Sequence, residues 1–95
     1  MITFTVRMTF SPEDRHEIAE ILRALTAASR QEPGCVVYNP HCVEGEPDTV
    51  LIYEQYRDEA AAEAHRHSEH FKKYAVGGLY QKMRERTRED LQALV

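Results

Sequence analysis

The chain of 95 residues contains no tryptophan, two cysteines, four glycines and four prolines. No apolar run approaches the roughly 20 residues that a membrane-spanning helix needs, so no membrane span is expected. Acidic residues outnumber basic ones, 16 Asp and Glu against 12 Lys and Arg, for a formal net charge of -4. Nucleic acid and anionic membrane surfaces both require a basic footprint, so neither is expected as a partner. Cys35 and Cys42 stand seven residues apart, which on one extended strand is roughly 23 Å and places them on opposite faces. That is beyond disulfide reach, and the spacing matches no cysteine metal signature. Both are expected to be free thiols. Gly77-Gly78 lacks the further glycines and the lysine of a phosphate-binding loop. The opening Met1-Ile2-Thr3-Phe4 lacks the basic start of a signal peptide, so a cytoplasmic location is expected.

What remains is an ordinary globular composition, 42% hydrophobic and 29% charged, which argues against disorder. Ninety-five residues make one domain, 1–95. A chain this short buries a limited core and gains from oligomerisation.

Ile2, Phe4, Val6, Met8 and Phe10 alternate with Thr3, Thr5, Arg7 and Thr9, a period of two that predicts a strand. Ser11-Pro12-Glu13-Asp14 then starts a helix: Ser11 suits the N-cap, Pro12 the first turn, and the two acids the helix dipole. Ile18, Ile21, Leu22, Leu25 and Ala28 form its apolar stripe. Glu32-Pro33-Gly34 ends it. Cys35 to Val43 reads as a second strand, made an edge or bulged by Pro40. Glu44 to Asp48 reads as a five-residue hairpin loop, and Thr49 to Arg57 as a third strand apolar on both faces. Asp58 caps a second helix reaching about Arg66, and helix restarts at Ser68. Gly77-Gly78 is expected to weaken or kink that last helix. Residues 84–91, charged throughout, fit either a helix end or a strand. The strand is preferred because it completes the order β-α-β-β-α-β, the ferredoxin-like split βαβ. The expected fold is therefore α+β: a four-stranded antiparallel sheet with its helices on one face. The other apolar face of the third strand then needs a cover, and a second copy of the chain would supply one.

Chemistry-bearing residues concentrate in Tyr53-Glu54-Gln55-Tyr56 and Ala64-His65-Arg66-His67-Ser68-Glu69-His70-Phe71. His65 lies among alanines on the helix face turned to the sheet, and an imidazole is the natural general base near neutrality. Its bland reading is a half-buried histidine bonded to a backbone carbonyl. Glu54 follows apolar neighbours on the third strand, where a carboxylate needs a partner. It could be a base, an orienter of His65, or a structural partner of an arginine such as Arg86. Tyr38 and Tyr53 read by default as core or interface aromatics, although Tyr38 and Asn39 beside Pro40 could reach a cavity. His65, His67 and His70 raise the question of a metal. No carboxylate completes a ligand set at a recognisable spacing, so no metal is expected.

The pattern of Glu54-x-Tyr56, His65 and Ser68-x-His70-Phe71 resembles the E-x-[W/Y] and H-x-x-[S/T]-x-H-F elements of antibiotic biosynthesis monooxygenase domains, including the quinol monooxygenases. Glu32-Pro33-Gly34-Cys35 and Tyr38 resemble the family's turn into its second strand. The likeness implies a ferredoxin-like domain whose homodimer joins two sheets into an α/β barrel. It implies oxidation of a quinol or related dihydroxyaromatic compound by O2, with no cofactor. Lack of tryptophan sets the chain apart from the haem-degrading branch, and Tyr56 stands where many members carry Trp. His65 is then expected as base or acid and Glu54 as its orienter. Tyr38, Asn39, Tyr56, His70, Tyr74 and Arg86 are expected to contact the substrate. Two alternatives stand beside this: isomerisation of a small phosphorylated signalling sugar, and a catalytically silent ligand-binding or stress-response dimer. An arginine-lined cavity favours the sugar, an apolar one the aromatic compound, and a shallow or filled one the silent dimer.

Overall fold

Phe4, Val6, Met8 and Phe10 are all buried, as the period-two pattern requires of a strand with one face on the core. The computed structural model describes residues 1–95. Its elements are β1 (Ile2–Thr9), a 3-10 turn (Pro12–Asp14), α1 (Arg15–Ser29), β2 (Cys35–Val43), β3 (Glu46–Tyr56) and α2 (Glu59–Arg66). They continue with a π-wound helix (Phe71–Leu79) that runs into an α-turn (Tyr80–Lys82), together α3, and with β4 (Glu85–Leu91). The sheet is antiparallel in the order β2-β3-β1-β4. This is the ferredoxin-like split βαβ, and residues 84–91 take the strand alternative.

Pro40 lies on the edge strand β2, paired opposite Ile52, where a missing donor is tolerated. The hairpin between β2 and β3 is tighter than the sequence suggests. Val43 pairs with Glu46, so only Glu44 and Gly45 form the turn. Gly45 has φ +81°, a left-handed conformation that glycine adopts without steric cost. In the sequence, Pro47 argues for a longer loop. It sits where β3 projects beyond its ladder with β1, which begins at Thr49 opposite Thr9. No sheet hydrogen bond is lost there.

One face of the sheet carries Phe4, Val6, Ile52 and Tyr56 against Ile18, Leu22, Leu25, Ala75 and Leu79 of the helices. Ser11 does not cap α1 through its side chain; its hydroxyl donates to Glu13 instead. Gly77-Gly78 does not break α3. A Cβ on Gly78 would come within 3.2 Å of Ile21 Cδ1, so the glycine permits close approach of α3 to α1. The helix keeps its course but widens to π geometry across this stretch. No helix is long and apolar enough to cross a membrane.

The opposite sheet face has no helices. Leu51, Tyr53, Val37 and Val43 lie there, half-buried, among Thr3, Thr5 and Thr9.

Candidate active site

Three segments meet where α2 crosses the sheet. Asp58 starts α2 by accepting a hydrogen bond from the Ala61 amide at 2.8 Å, a side-chain N-cap. The turn after α1 presses against the same helix. A Cβ built on Gly34 would lie 2.3 Å from the Ala61 Cβ, a distance no side chain tolerates. The Gly34 carbonyl accepts from the Arg57 amide at 2.8 Å. Glycine at 34 thus lets the turn that carries Glu32 touch the helix that carries His65. At the far end of α2, the Ser68 hydroxyl donates to the His65 carbonyl at 2.7 Å and accepts from the Phe71 amide at 3.1 Å. That serine ends one helix and opens the next, which fixes His65 and His70 on one side of the bend.

His65 is 4% exposed, and its two ring nitrogens face two different carboxylates. Nδ1 lies 2.8 Å from Glu32 Oε2, and Nε2 lies 3.7 Å from Glu54 Oε1. His70 Nε2 reaches the same Glu32 oxygen at 2.5 Å. A carboxylate oxygen accepts, so the two imidazole N–H groups both donate to Glu32. That leaves His65 Nε2 free to accept a proton on the side of Glu54. Tyr56 OH donates to Glu54 Oε1 at 2.7 Å. The Tyr56, Tyr38 and Phe71 rings surround the imidazole, with centroids 5.0, 5.7 and 5.2 Å away.

Burial shapes the protonation of this group. Loss of solvation pushes the Glu54 carboxyl up to about 7, against the pull of the Tyr56 hydrogen bond and the positive charges of Arg88 and Arg86. Desolvation lowers the His65 pKa, and the bond and charge of Glu32 oppose it. Desolvation also holds the Tyr38 and Tyr56 phenols far above their ordinary range, with Glu54 adding to both. Near neutral pH the site therefore combines a neutral imidazole with a carboxyl poised between its two forms.

The space beside these groups is a cavity of about 80 Å³ between sheet and helices. Its wall is mostly apolar, including Phe4, Val6, Ile52, Phe71 and Leu79, with Glu54, Tyr56, Tyr38 and His65 as its polar patch. Arg86 and Arg88 of β4 and Arg66 of α2 complete the lining. Arg86 lies over the Tyr80 ring and Arg88 over the Phe4 ring, at 5.7 and 3.8 Å.

Of the residues expected from the sequence, His65, Glu54, Tyr38, Tyr56 and Arg86 line this cavity. His70 stands one step back, behind Glu32. Two of the expected residues lie away from the cavity. Asn39 points to the opposite sheet face from Tyr38, is exposed, and accepts from Arg30 at 2.9 Å. Tyr74 is half-buried beside the core on α3 but does not line the cavity. Its ring carries Lys73 Nζ at 5.2 Å. Neither hydrogen bond nor ion pair joins Arg86 to Glu54; the partner of Glu54 is Tyr56. Cys35 and Cys42 are free thiols, and burial pushes the Cys35 thiol up to about 11, far from a thiolate nucleophile.

Glu32 is the residue of this cluster that the sequence does not single out as a site candidate. The sequence presents it as the stop of α1 and as part of the Glu32-Pro33-Gly34-Cys35 turn into β2, and its 33-residue separation from His65 hides the contact. An acid beside Pro-Gly at a turn into a strand was the available signal. Glu32, His65 and His70 also place one ligand atom each within 4.8 Å of one another. The expectation of no metal rested on the absence of a carboxylate at a recognisable spacing, and the fold supplies that carboxylate from a distant turn.

Residues 1–76 match the family model of the antibiotic biosynthesis monooxygenases. The Bacillus subtilis protein named "Putative monooxygenase YcnE" is 31% identical over 78 residues, 82% of each chain. A Bacteroides thetaiotaomicron structure bearing the same family name is 32% identical, with a TM-score of 0.91, over 99% of this chain and 90% of that one. A Pseudomonas aeruginosa structure is 31% identical, with a TM-score of 0.89, over 99% and 94% of the two chains. The chain therefore belongs to the antibiotic biosynthesis monooxygenase family.

Proposed function

We propose that this protein oxidises a quinol or related dihydroxyaromatic compound with O2, acting as a homodimer and without a bound cofactor. The observation that carries the reading is the pairing of His65 and Glu54 at an apolar cavity: a neutral imidazole with a free acceptor nitrogen, beside a carboxyl near its midpoint at neutral pH. Such groups remove and return protons efficiently because their pKa values lie near the working pH.

His65 Nε2 would accept the proton of a phenol hydroxyl, leaving an electron-rich phenolate that the cavity would orient. The anion passes an electron to O2, and the radical pair recombines to form a C–O bond. The second oxygen atom leaves as water, and the quinol supplies all four electrons. Glu32 holds the imidazole in one tautomer by accepting its Nδ1–H, the role of the third member in nucleophile–base–orienter sets. Glu54, hydrogen-bonded to Tyr56, would relay the proton toward the departing oxygen.

A cavity of about 80 Å³ is smaller than the roughly 150 Å³ apolar cavity known to hold one benzene. Substrate binding therefore requires the wall formed by half-buried Phe71 and exposed Arg86 and Arg88 to open. The same small volume favours the second reading, a silent dimer. Oxygen uptake by chelator-treated protein across a panel of quinols separates the two. Stoichiometric uptake with formation of a hydroxyquinone supports the reaction. Its absence for every quinol, with the dimer intact, leaves the silent dimer.

A further inference from the structure

We propose that Glu32, His65 and His70 form a binding site for a divalent transition-metal ion, best matched by zinc. The donor set is two imidazoles and one carboxylate, the borderline nitrogen and oxygen ligands that zinc prefers with an open fourth position. The three donors come from three different segments: the turn after α1, the end of α2, and the residue before the π-wound part of α3. Their ligand atoms lie within 4.8 Å of one another. No other histidine takes part in such a group: the nearest in sequence, His67, is exposed and bonded to the Glu63 carbonyl.

Two further features suit an ion. The ring nitrogen of His65 that would not bind it faces Glu54 Oε1 at 3.7 Å. A carboxylate on the distal nitrogen is the usual support of a metal-bound histidine. The side chains of His70 and Glu32 are 21% and 14% exposed, which gives an ion and a water ligand a way in. The present separations, 2.8 and 2.5 Å to the shared oxygen, are hydrogen-bond distances. Zinc–ligand bonds of about 2.0–2.2 Å at tetrahedral angles need the donor atoms about 3.4 Å apart. The Glu32 oxygen must therefore stand about 0.6 and 0.9 Å farther from the two nitrogens than it does now. The ion would then replace the two protons that Glu32 now accepts.

Binding at Nδ1 places the remaining ring proton on Nε2, pointing at Glu54. An imidazole in that state cannot accept a proton from a substrate. The metal-loaded form is thus an inactive form of the site, a consequence that rests on the reaction proposed above, whereas the binding itself does not.

The test uses the untagged, chelator-treated full chain and Zn²⁺ in titration calorimetry, with Co²⁺ as a spectroscopic stand-in. One Zn²⁺ per chain at micromolar affinity or tighter, and visible Co²⁺ absorption of a low-coordinate site, are expected. Glu32→Gln and His70→Ala should each weaken binding by about tenfold or more. His67→Ala should not. Circular dichroism melts confirm that the variants fold, and both substitutions lie at positions that reach the surface. Absence of saturable Zn²⁺ binding overturns the site, and so does binding that survives both variants or is lost in His67→Ala. Where a quinol substrate is in hand, Zn²⁺ should abolish turnover in the wild type. Binding without inhibition leaves the site and removes His65 Nε2 from the reaction.

Discussion

Glu32 Oε2 and His65 Nδ1 lie 2.8 Å apart across 33 residues of chain. The bond joins a turn after the first helix to the last turn of the second, and it leaves His65 Nε2 as the free acceptor beside Glu54. In the reaction proposed, Glu32 is a positioning residue: as a carboxylate it accepts the Nδ1 proton of His65 and so sets which nitrogen is free.

Glu32→Gln keeps the shape of the side chain and removes its charge. The amide can still accept from His65, but it no longer stabilises an imidazolium. Turnover should fall by roughly 10–10²-fold through kcat with KM little changed, on the scale seen for groups that support an imidazole. Steady-state kinetics on a quinol that the wild type oxidises would check this. An unchanged kcat would remove Glu32 from the mechanism.

Gly34→Ala tests how the turn reaches α2. The new Cβ would lie 2.3 Å from Ala61 Cβ, so the turn or the helix must shift. Overpacking of this kind costs about 1–3 kcal/mol. The double variant Gly34→Ala with Ala61→Gly should recover part of the loss, because it removes the atom that clashes. Thermal melts of the three variants report the coupling. Strictly additive losses would show that the contact is not what makes glycine necessary.

Much of the fold is legible from the sequence because its signals are local. Alternation marks β1, Asp58 marks the start of α2, and Pro40 marks β2 as an edge. The site is legible only in part. Glu54, Tyr56 and His65 lie on periodic elements whose faces can be counted, so their convergence follows from the strand and helix periods. Glu32 and the side of the sheet that Asn39 faces do not follow so readily. Glu32 depends on a tertiary contact through Gly34. Asn39 is adjacent to Tyr38 on a strand, so when Tyr38 turns inward Asn39 must turn outward, and the bulges that Pro40 suggested fall elsewhere, between Cys35 and Val37 and between Cys42 and Val43. The length of the hairpin loop is hidden for the same reason: Pro47 reads as a loop residue in sequence, and only the overhang of β3 beyond β1 lets a strand hold it.

Glu54 should make stability depend on pH in a direction unusual for a carboxyl. Its folded pKa of about 7 lies above the ordinary 4.5. Between those values the folded chain holds a proton that the unfolded chain releases, so stability falls as pH rises through the window. The deficit approaches about 3 kcal/mol above pH 7, as an order of magnitude. In Glu54→Gln this slope disappears, so the variant should gain on the wild type between pH 5 and pH 8. The lowered pKa of His65 acts oppositely, costing stability as pH falls below its ordinary 6.5, and it is common to both proteins. Urea melts of chelator-treated protein at several pH values measure the difference. Parallel stability curves for the two proteins would show that Glu54 is ordinarily solvated.

The helix-free sheet face should be the dimer interface. Leu51, Tyr53, Val37 and Val43 lie there without a helical cover. A stable dimer buries more than about 1,000 Å², which a sheet face can provide and the helix face, already packed, cannot. Leu51→Glu should shift the protein toward monomer, because an unpaired charge at a buried contact is costly. Light scattering at micromolar concentration distinguishes the forms. A monomeric wild type would refute the assembly itself.

His65 is where catalysis and packing make opposite predictions. The imidazole is 4% exposed and touches Tyr56, Tyr38 and Phe71. If it transfers a proton, His65→Ala should lower the chemical rate by roughly 10²–10⁴-fold. If it only fills space, the variant should lose stability, and its folded fraction should turn over normally. Some stability change is expected in either case, since removal also leaves Glu32 with one donor fewer. The separating measurement is therefore the single-turnover rate per folded molecule, with the folded fraction taken from thermal melts. His67→Ala is the control: His67 is exposed and bonds only to Glu63 on its own helix, so rate and stability should both stay near wild type. A wild-type single-turnover rate in folded His65→Ala would exclude His65 as the proton acceptor and leave Glu54, with its carboxyl near its midpoint at neutral pH, as the group to test next.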